Sequence, residues 1–464
     1  MICAIIPTYN NSRTIADVIL RTKRYINNII VVIDGSTDDT MEVLSTLSVL
    51  VTVVRLETNH GKGYALKAGF CKAIEMGFSH ALTIDSDGQH FPEDIPVMLQ
   101  VSRQQPEVFV VGNRDMAADN MPRQNTFANR FSNFWFALQT WVRLPDTQSG
   151  MRIYPLEHLH GLRWLTARYE AELELLVFAA WAGEKIVSVP IHVYYPPVEE
   201  RVSHFRPMYD FTRISILNTV LCVLAVAYGL PRRWWQSAIY GPWFLFCWLI
   251  GLIVTLGCLL LRVEKKTYRK LFHYGSLLMM HTFPASPFRI RREEGAVSLD
   301  QPAVYIANHT SLFDILGIVA LHPNLTIVTQ NWVFSNPFFG ATARMAGFVS
   351  VARGFDTIMP VVEQEVRNGT SVLVFPEGGR SPLGTLRRFH RGAFYLAQQM
   401  HIPIQPIKIT GTFNLMSKGE LIIGKAKIHL TVLPKINIEN DEWGETYQEI
   451  THSIHAYYAK ILNA

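Results

Sequence analysis

A chain of 464 residues has room for about three domains of ordinary size. Hydrophobic residues make up 49% and charged residues only 17%, against the roughly 25% of an average soluble domain, so the chain is greasier than an ordinary soluble enzyme. The formal charge of +5 is modest and no aromatic-basic platform accompanies it, which argues against nucleic acid as a partner.

The five cysteines (Cys3, Cys71, Cys222, Cys247 and Cys258) form no C-x-x-C pair, and three lie in the apolar middle. That pattern argues against a disulfide framework or zinc site and for a reducing cytosol. Ile2-Cys3-Ala4-Ile5-Ile6 reads as a buried strand leading into Pro7, so no signal peptide is expected and the N-terminal domain should stay in the cytoplasm.

In chain order, residues 1–210 alternate short apolar runs with amphipathic stretches. Strands are predicted at Cys3–Ile6, Ile29–Ile33, Val51–Arg55, Ala81–Ile84 and Val108–Val111, with helices over Ser12–Thr22 and Tyr64–Met76. Such alternation predicts an α/β sheet with substrates at the strands' carboxyl ends. Residues 211–288 read as a membrane-associated segment. Charges vanish from Ile214 to Arg232 and again from Trp234 to Leu261, the second run roughly 28 residues against the ~20 that cross a bilayer. Trp234, Trp235 and Trp243 suit an interface. Cations flank the long run on both sides, Arg232-Arg233 before it and Arg262, Lys265, Lys266, Arg269 and Lys270 after it, and suit anionic head groups. Cations at both ends disfavour a single crossing, so a helical hairpin is expected, or a re-entrant segment with an interfacial helix. Residues 289–464 return to α/β character, with strands at Ala303–Ala307, Thr326–Thr329, Val349–Ala352, Ser371–Phe375, Ile404–Ile409 and Ile428–Leu433.

In the first domain, the run Ile30–Ile33 ends in Asp34-Gly35-Ser36-Thr37-Asp38-Asp39. Ser36 and Asp39 have capping-box spacing, and Asp34 is left at a strand end to accept hydrogen bonds from a base or ribose. Leu82-Thr83-Ile84 runs into Asp85-Ser86-Asp87-Gly88-Gln89-His90. Two carboxylates at i and i+2, with the strand broken at Gly88, can converge on Mg²⁺ or Mn²⁺ and through it on a diphosphate.

Together with Pro7-Thr8-Tyr9-Asn10, Asn59-x-Gly61-Lys62-Gly63-x-Ala65, Gly112-Asn113-Arg114 and Asp146-x-x-Ser149-Gly150-Met151-Arg152, these blocks resemble family-2 glycosyltransferases of the dolichol-phosphate-mannose-synthase type. The resemblance implies a GT-A fold, an inverting transfer from a nucleotide-diphosphate sugar, and a lipid or lipid-carrier acceptor. It implies metal contacts from Asp85, Asp87 and Gln89, a base contact from Asp34, donor-site positions at Pro7, Tyr9 and Gly61, and phosphate contacts from Arg114 and Arg130. Where relatives place a catalytic base, this chain has Glu170 and Glu172. Either can serve or face solvent, and Glu172 is carried as the candidate. Arg163-Trp164 precedes this region, which argues against processive synthesis.

In the last domain, His309 and Asp314 are five residues apart, too far around an ideal helix to share a face. The workable geometry puts His309 in the turn after a strand, with Thr310 or Ser311 capping a helix whose Asp314 points back at the imidazole. His309 then takes a proton from an acceptor hydroxyl, and that hydroxyl attacks a thioester. With Gly347–Arg353, Phe375-Pro376-Glu377-Gly378-Gly379-Arg380-Ser381 and Ile402–Pro406, this block resembles glycerolipid acyltransferases of the lysophosphatidic-acid type. The resemblance implies an α/β acyltransferase domain using acyl-CoA or acyl-ACP, with His309 and Asp314 catalytic and Arg353, Glu377, Gly378 and Arg380 at the acceptor. The expectation is a bifunctional enzyme on the cytoplasmic face of the inner membrane, building a glycolipid or envelope lipid. The alternatives are one active domain with a docking partner, or a lipid-binding scaffold.

Overall fold

The computed structural model describes residues 1–464 apart from 115–122, 160–165, 195–206, 284–286, 299–300, 338, 421–422, 440 and 464. Arg163-Trp164 and the Arg353 side chain lie outside the described residues. Contacts divide the chain into two units, Met1–Trp234 and Trp235–Ala464.

The first unit is built on β1 (Ile2–Thr8), β2 (Ile29–Asp34), β3 (Thr52–Leu56), β4 (His80–Thr83), β5 (Phe109–Arg114), β6 (Arg152–Pro155) and β7 (Ile186–Ile191), in the order β3-β2-β1-β4-β6-β5-β7 among the described residues. Ile29–Asp34 is buried throughout, as a strand covered on both faces must be, and its apolar run supplies that. β1 pairs parallel with both β2 and β4, so the carboxyl ends of β2 and β4 share one edge, and Asp34 and Asp85 are brought there. β6 enters antiparallel, with Arg152 opposite Thr83, so the Ser149-Gly150-Met151 turn arrives at the same edge. Ser36 and Asp39 do not form the expected capping box. The Ser36 hydroxyl accepts the Asn10 N–H instead, and Asp38 receives the N–H groups of Ser12 and Thr40, so the helix starts at Thr40.

The second unit carries β8 (Phe288–Arg292), β9 (Val304–Ala307), β10 (Leu325–Thr329), β11 (Val349–Ser350), β12 (Ser371–Val374), β13 (Ile404–Thr410) and β14 (Ile428–Val432), in the order β11-β10-β12-β9-β13-β14-β8. β9, β10, β12 and β13 run parallel, which sets the turns after Ala307 and Val374 side by side. The C-terminal helix Tyr447–Asn463 locks this arrangement. Its buried Tyr458 hydroxyl lies 2.9 Å from the Ile306 carbonyl and 3.0 Å from that of Ile407, and accepts the Ile407 N–H.

The two apolar runs do not fold back on each other as the hairpin expectation had it. They lie on one continuous helix, Thr212–Leu260, long and apolar enough to cross a membrane by length and composition. Only 11% of its most apolar stretch is buried, whereas a core helix would be mostly covered. The helix runs on through Pro231: the π turn Ala225–Gly229 stands just before it, where a proline lacks its N–H and would crowd a regular turn. The reversal comes later, at Arg262 with a φ of 48°, before the helix Lys265–Thr282.

Candidate active sites

At the carboxyl edge of the first sheet, the Asp34 carboxylate is buried and accepts the N–H groups of His60 and Gly61, both at 2.8 Å. It therefore shapes the loop leading into the helix Lys62–Glu75. Gly61 has a φ of +99°, and a Cβ there would sit 2.6 Å from Arg168 Cγ; one at Gly63 would sit 2.3 Å from Ala171 Cβ. The two glycines let the start of this helix press against the start of the helix Glu170–Ala182. As a result the Lys62 ammonium stands between two carboxylates, 2.7 Å from Asp85 Oδ1 and 2.8 Å from Glu172 Oε2.

Charge governs this site. Burial alone would lower the Lys62 pKa, but Asp85 and Glu172 raise it above its ordinary value. Burial works against ionised Asp85, yet the Lys62 ammonium holds it below the usual carboxylate range. Burial and the neighbouring Asp85 charge push Asp87 up to about 6. Burial pushes His90 down to about 4, so its ring is neutral at pH 7, with Nε2 3.9 Å from Asp85 Oδ2 and Nδ1 without a partner. Gly150 closes the other side, because a Cβ there would lie 2.2 Å from Asp85 Oδ2.

The donor set fits a divalent cation. Asp85 and Asp87 repel each other, and Glu172 Oε1 is buried without a partner. Among the described residues no group of three His, Cys, Asp or Glu side chains is arranged to hold a metal, so diphosphate oxygens or water would have to complete the coordination.

Neither Glu170 nor Glu172, in the helix Glu170–Ala182, is a free base. Glu170 is buried against Arg213, with Nη2 to Oε1 at 2.5 Å, and Glu172 is held by Lys62. Arg114 presents its fork to buried Asp146, at 2.6 and 3.0 Å, and not to open solvent. Arg130 is exposed. Gln89 donates its backbone N–H to Asp87 Oδ1 at 3.0 Å. Pro7 is buried in β1, and Tyr9 is half-buried just beyond it.

In the second unit, β9 ends at Ala307 and Asn308 ties the following turn to β13: its amide donates to the Ile409 carbonyl and accepts the Ile409 N–H, both at 2.9 Å. His309 then sits with Nδ1 2.9 Å from Asp314 Oδ2, and its ring stacks on Phe375 at 4.0 Å. Asp314 lies in the first turn of the helix Phe313–Leu321, is fully buried, and also accepts the N–H groups of Thr310 (2.7 Å) and Ser311 (2.8 Å). Three donors thus converge on Asp314 Oδ2 and fix one tautomer of His309: Nδ1 carries the proton, and Nε2 is left to accept another.

Glu377 occupies a different place from the acceptor position the resemblance implies. It is 1% exposed, and its oxygens accept the N–H groups of His309 (2.8 Å) and Arg387 (3.0 Å). Burial pushes its pKa up to about 7 against the pull of those two donors. Gly378 has a φ of +70°, and a Cβ there would meet the His390 ring at 2.9 Å. Arg380 is partly buried, and desolvation lowers its pKa against the attraction of Asp314.

The family model for Glycosyl transferase family 2 matches residues 3–159, and that for Acyltransferase matches residues 288–410. The UDP-N-acetylglucosamine–dolichyl-phosphate N-acetylglucosaminyltransferase of Methanococcus voltae is 32% identical over 217 residues, 42% of this chain and 86% of that protein. The chain belongs to glycosyl transferase family 2. Fused to this glycosyltransferase unit is an acyltransferase domain. A chloroplastic 1-acyl-sn-glycerol-3-phosphate acyltransferase of Brassica napus is 32% identical over 160 residues, 33% of this chain and 46% of that protein. The chain thus spans about half the length of that plant relative. A solved structure, the 1-acyl-sn-glycerophosphate acyltransferase of Thermotoga maritima, covers 49% of this chain and 98% of its own at 19% identity and a TM-score of 0.40, too weak a likeness to argue from.

In the glycosyltransferase unit, sequence reasoning quoted Lys62, Gly150 and Arg152 in motifs but gave them no role. Arg152 is fully buried and donates to the carbonyls of Ser149, Thr147 and Glu172, so it braces the turn beneath Asp85. In the acyltransferase unit, the Arg387 backbone was missed. The signal in each case was a glycine or arginine placed where a catalytic turn meets a second element.

Proposed function

We propose that this chain transfers a sugar from a nucleotide-diphosphate sugar to a lipid phosphate, and an acyl group from an acyl thioester to a lipid hydroxyl. The observation that carries the reading is a pair of sites, one where Asp85 and Asp87 stand together as metal donors and one with a buried His–Asp pair, on a chain with an apolar helix of membrane-spanning length.

For acyl transfer, the acceptor hydroxyl gives its proton to His309 Nε2 as its oxygen bonds to the thioester carbonyl carbon. The carbon–sulfur bond then breaks, and the imidazolium returns the proton to the leaving thiolate. Asp314 holds Nδ1–H and stabilises the imidazolium. The Glu377-Gly378 turn holds the His309 backbone, while Arg380, with Arg353 by the resemblance, is a candidate cation for a phosphorylated acceptor. The donor is an acyl-CoA or an acyl-ACP.

For sugar transfer, an acceptor phosphate oxygen bonds to the anomeric carbon as the bond to the nucleoside diphosphate breaks. A phosphate nucleophile is already ionised and needs no base, which agrees with Glu170 and Glu172 both being ion-paired. On this reading Glu172 does not act as a general base. A hydroxyl acceptor, the second reading, would require Glu172 to leave Lys62. Mg²⁺ or Mn²⁺ bound by Asp85 and Asp87 would neutralise the departing diphosphate. Asp34 holds the His60-Gly61 turn ahead of Lys62, and Arg114 and Arg130 are the cations proposed to meet the donor's phosphates.

Both units are assigned to the cytoplasmic face of a membrane, with the apolar helix entering that face without crossing it, because both donors are cytosolic metabolites and cations bracket the apolar helix at each end. Assays on purified full-length protein test the reading. Asp87→Ala should abolish transfer of labelled sugar and spare acyl transfer, and His309→Ala should do the reverse. Acyl transfer that survives His309→Ala would overturn the His–Asp mechanism.

A further inference from the structure

Asp85 already holds a cation at one of its oxygens. Oδ2 faces Gly150, whose Cβ position lies 2.2 Å away, and neutral His90 at 3.9 Å. Oδ1 receives the Lys62 ammonium at 2.7 Å, and the same ammonium reaches Glu172 Oε2 at 2.8 Å. Three carboxylates, Asp85, Asp87 and Glu172, gather here, and Lys62 is the cation that bridges two of them. Its position is not loose. Asp34 fixes the preceding turn through two backbone hydrogen bonds, and Gly61 and Gly63 dock the helix start on the 167–171 segment. The side chain is only 16% exposed, so it has few alternative places to go.

We propose that Lys62 is a resident counter-ion that a divalent metal must displace from Asp85, and that the donor's diphosphate is what receives the displaced ammonium. Two cations on the one Asp85 carboxylate repel each other at close range, so metal alone binds against Lys62. When a nucleoside diphosphate accompanies the metal, Lys62 exchanges a carboxylate partner for a phosphate oxygen and the repulsion is relieved. Metal and nucleotide thus bind cooperatively through one side chain, and by linkage each strengthens the other by the same factor. Glu172 keeps Lys62 within reach throughout. Lys62 is a positioning residue for the donor and metal, and the inference rests on the two-carboxylate metal site proposed above.

The test is Mn²⁺ binding to the full-length protein in detergent, read as loss of the free-ion electron paramagnetic resonance signal, with and without UDP. Wild type should bind Mn²⁺ weakly alone and at least 10-fold more tightly with UDP. Lys62→Met should bind Mn²⁺ at least 10-fold more tightly than wild type in the absence of nucleotide, and UDP should add little. Lys62→Arg keeps a cation between the carboxylates and should bind Mn²⁺ no more tightly than wild type, and circular dichroism checks that both variants are folded. Equal or weaker Mn²⁺ binding by Lys62→Met than by wild type overturns the displacement. Absence of Mn²⁺ binding in every variant, with UDP present, overturns the metal site itself. Should Lys62→Met fail to fold, Lys62→Gln carries the same expectation.

Discussion

Single atoms decide much at both sites. At Gly150 a methyl group would fall 2.2 Å from Asp85 Oδ2, so Gly150→Ala must rotate the carboxylate or push the turn away. Misplacing a catalytic group by about an ångström lowers rates by roughly 10²-fold, so sugar transfer should fall by about that factor while acyl transfer persists. Asp314→Asn keeps the shape of the His309 partner and presents an amide where the carboxylate accepts Nδ1–H. Acyl transfer should drop by about 10³–10⁴-fold in single-turnover assays, and a loss under tenfold would count against Asp314 as the tautomer-setting residue. Glu377 carries a pH signature. Its folded pKa of about 7 stands above the ordinary 4.5, so the neutral form is favoured in the fold. Its stabilising contribution is complete below the unfolded value and fades as pH rises through 7. Glu377→Gln cannot titrate, so its stability deficit relative to wild type should shrink by about 2–3 kcal/mol between pH 5 and pH 8 in thermal or denaturant unfolding.

Between elements, short contacts substitute for long interfaces. The Lys62–Glu75 and Glu170–Ala182 helices meet through Gly63 and Ala171, and this meeting carries Lys62 to Glu172. In the acyltransferase unit the C-terminal helix reaches across the chain through Tyr458, whose hydroxyl satisfies carbonyls of β9 and β13 and the Ile407 N–H between them. Tyr458→Phe keeps the ring and leaves those groups unpaired in the core, at a cost of about 1–3 kcal/mol. Thermal unfolding of the acyltransferase unit should begin several degrees lower, and weakened His309 placement should follow, since β9 leads directly into the catalytic turn. A variant as stable as wild type would show that water or a backbone shift replaces the hydroxyl.

For the whole molecule, the apolar helix Thr212–Leu260 is the proposed membrane attachment, long and apolar enough to cross a membrane. Ile250, Ile253 and Leu260 are exposed along it. Replacing Ile250 and Ile253 with lysine should release the protein from liposomes in a flotation assay, because each charge at bilayer depth costs about 2.5–3.5 kcal/mol. Continued flotation would move attachment elsewhere. Cysteines placed singly at Arg232 and Arg262 should both be labelled from the cytoplasmic side of sealed vesicles, and labelling of the two from opposite sides would overturn the common-face assignment.

Much of this was legible before any fold was in hand. Apolar runs such as Ile29–Ile33 and Ser371–Phe375 announce strands buried on both faces, and the local spacing of His309 and Asp314 allows few geometries other than strand, turn and helix. The strands that escaped notice, β6, β7 and β8, are those whose charges or prolines mask them. Arg-Ile-Tyr-Pro looks polar until Arg152 is seen spending its guanidinium on buried carbonyls, and Phe-Arg-Ile-Arg-Arg is an alternating edge strand. The sequence by itself determined which groups do chemistry, because motifs are local and the residue types set their reactivity. Only the tertiary structure decided their partners. Asp34 turned inward, Glu377 braced His309, the hairpin became one helix, and Lys62 came to rest between Asp85 and Glu172, because each depends on segments brought together from distant parts of the chain.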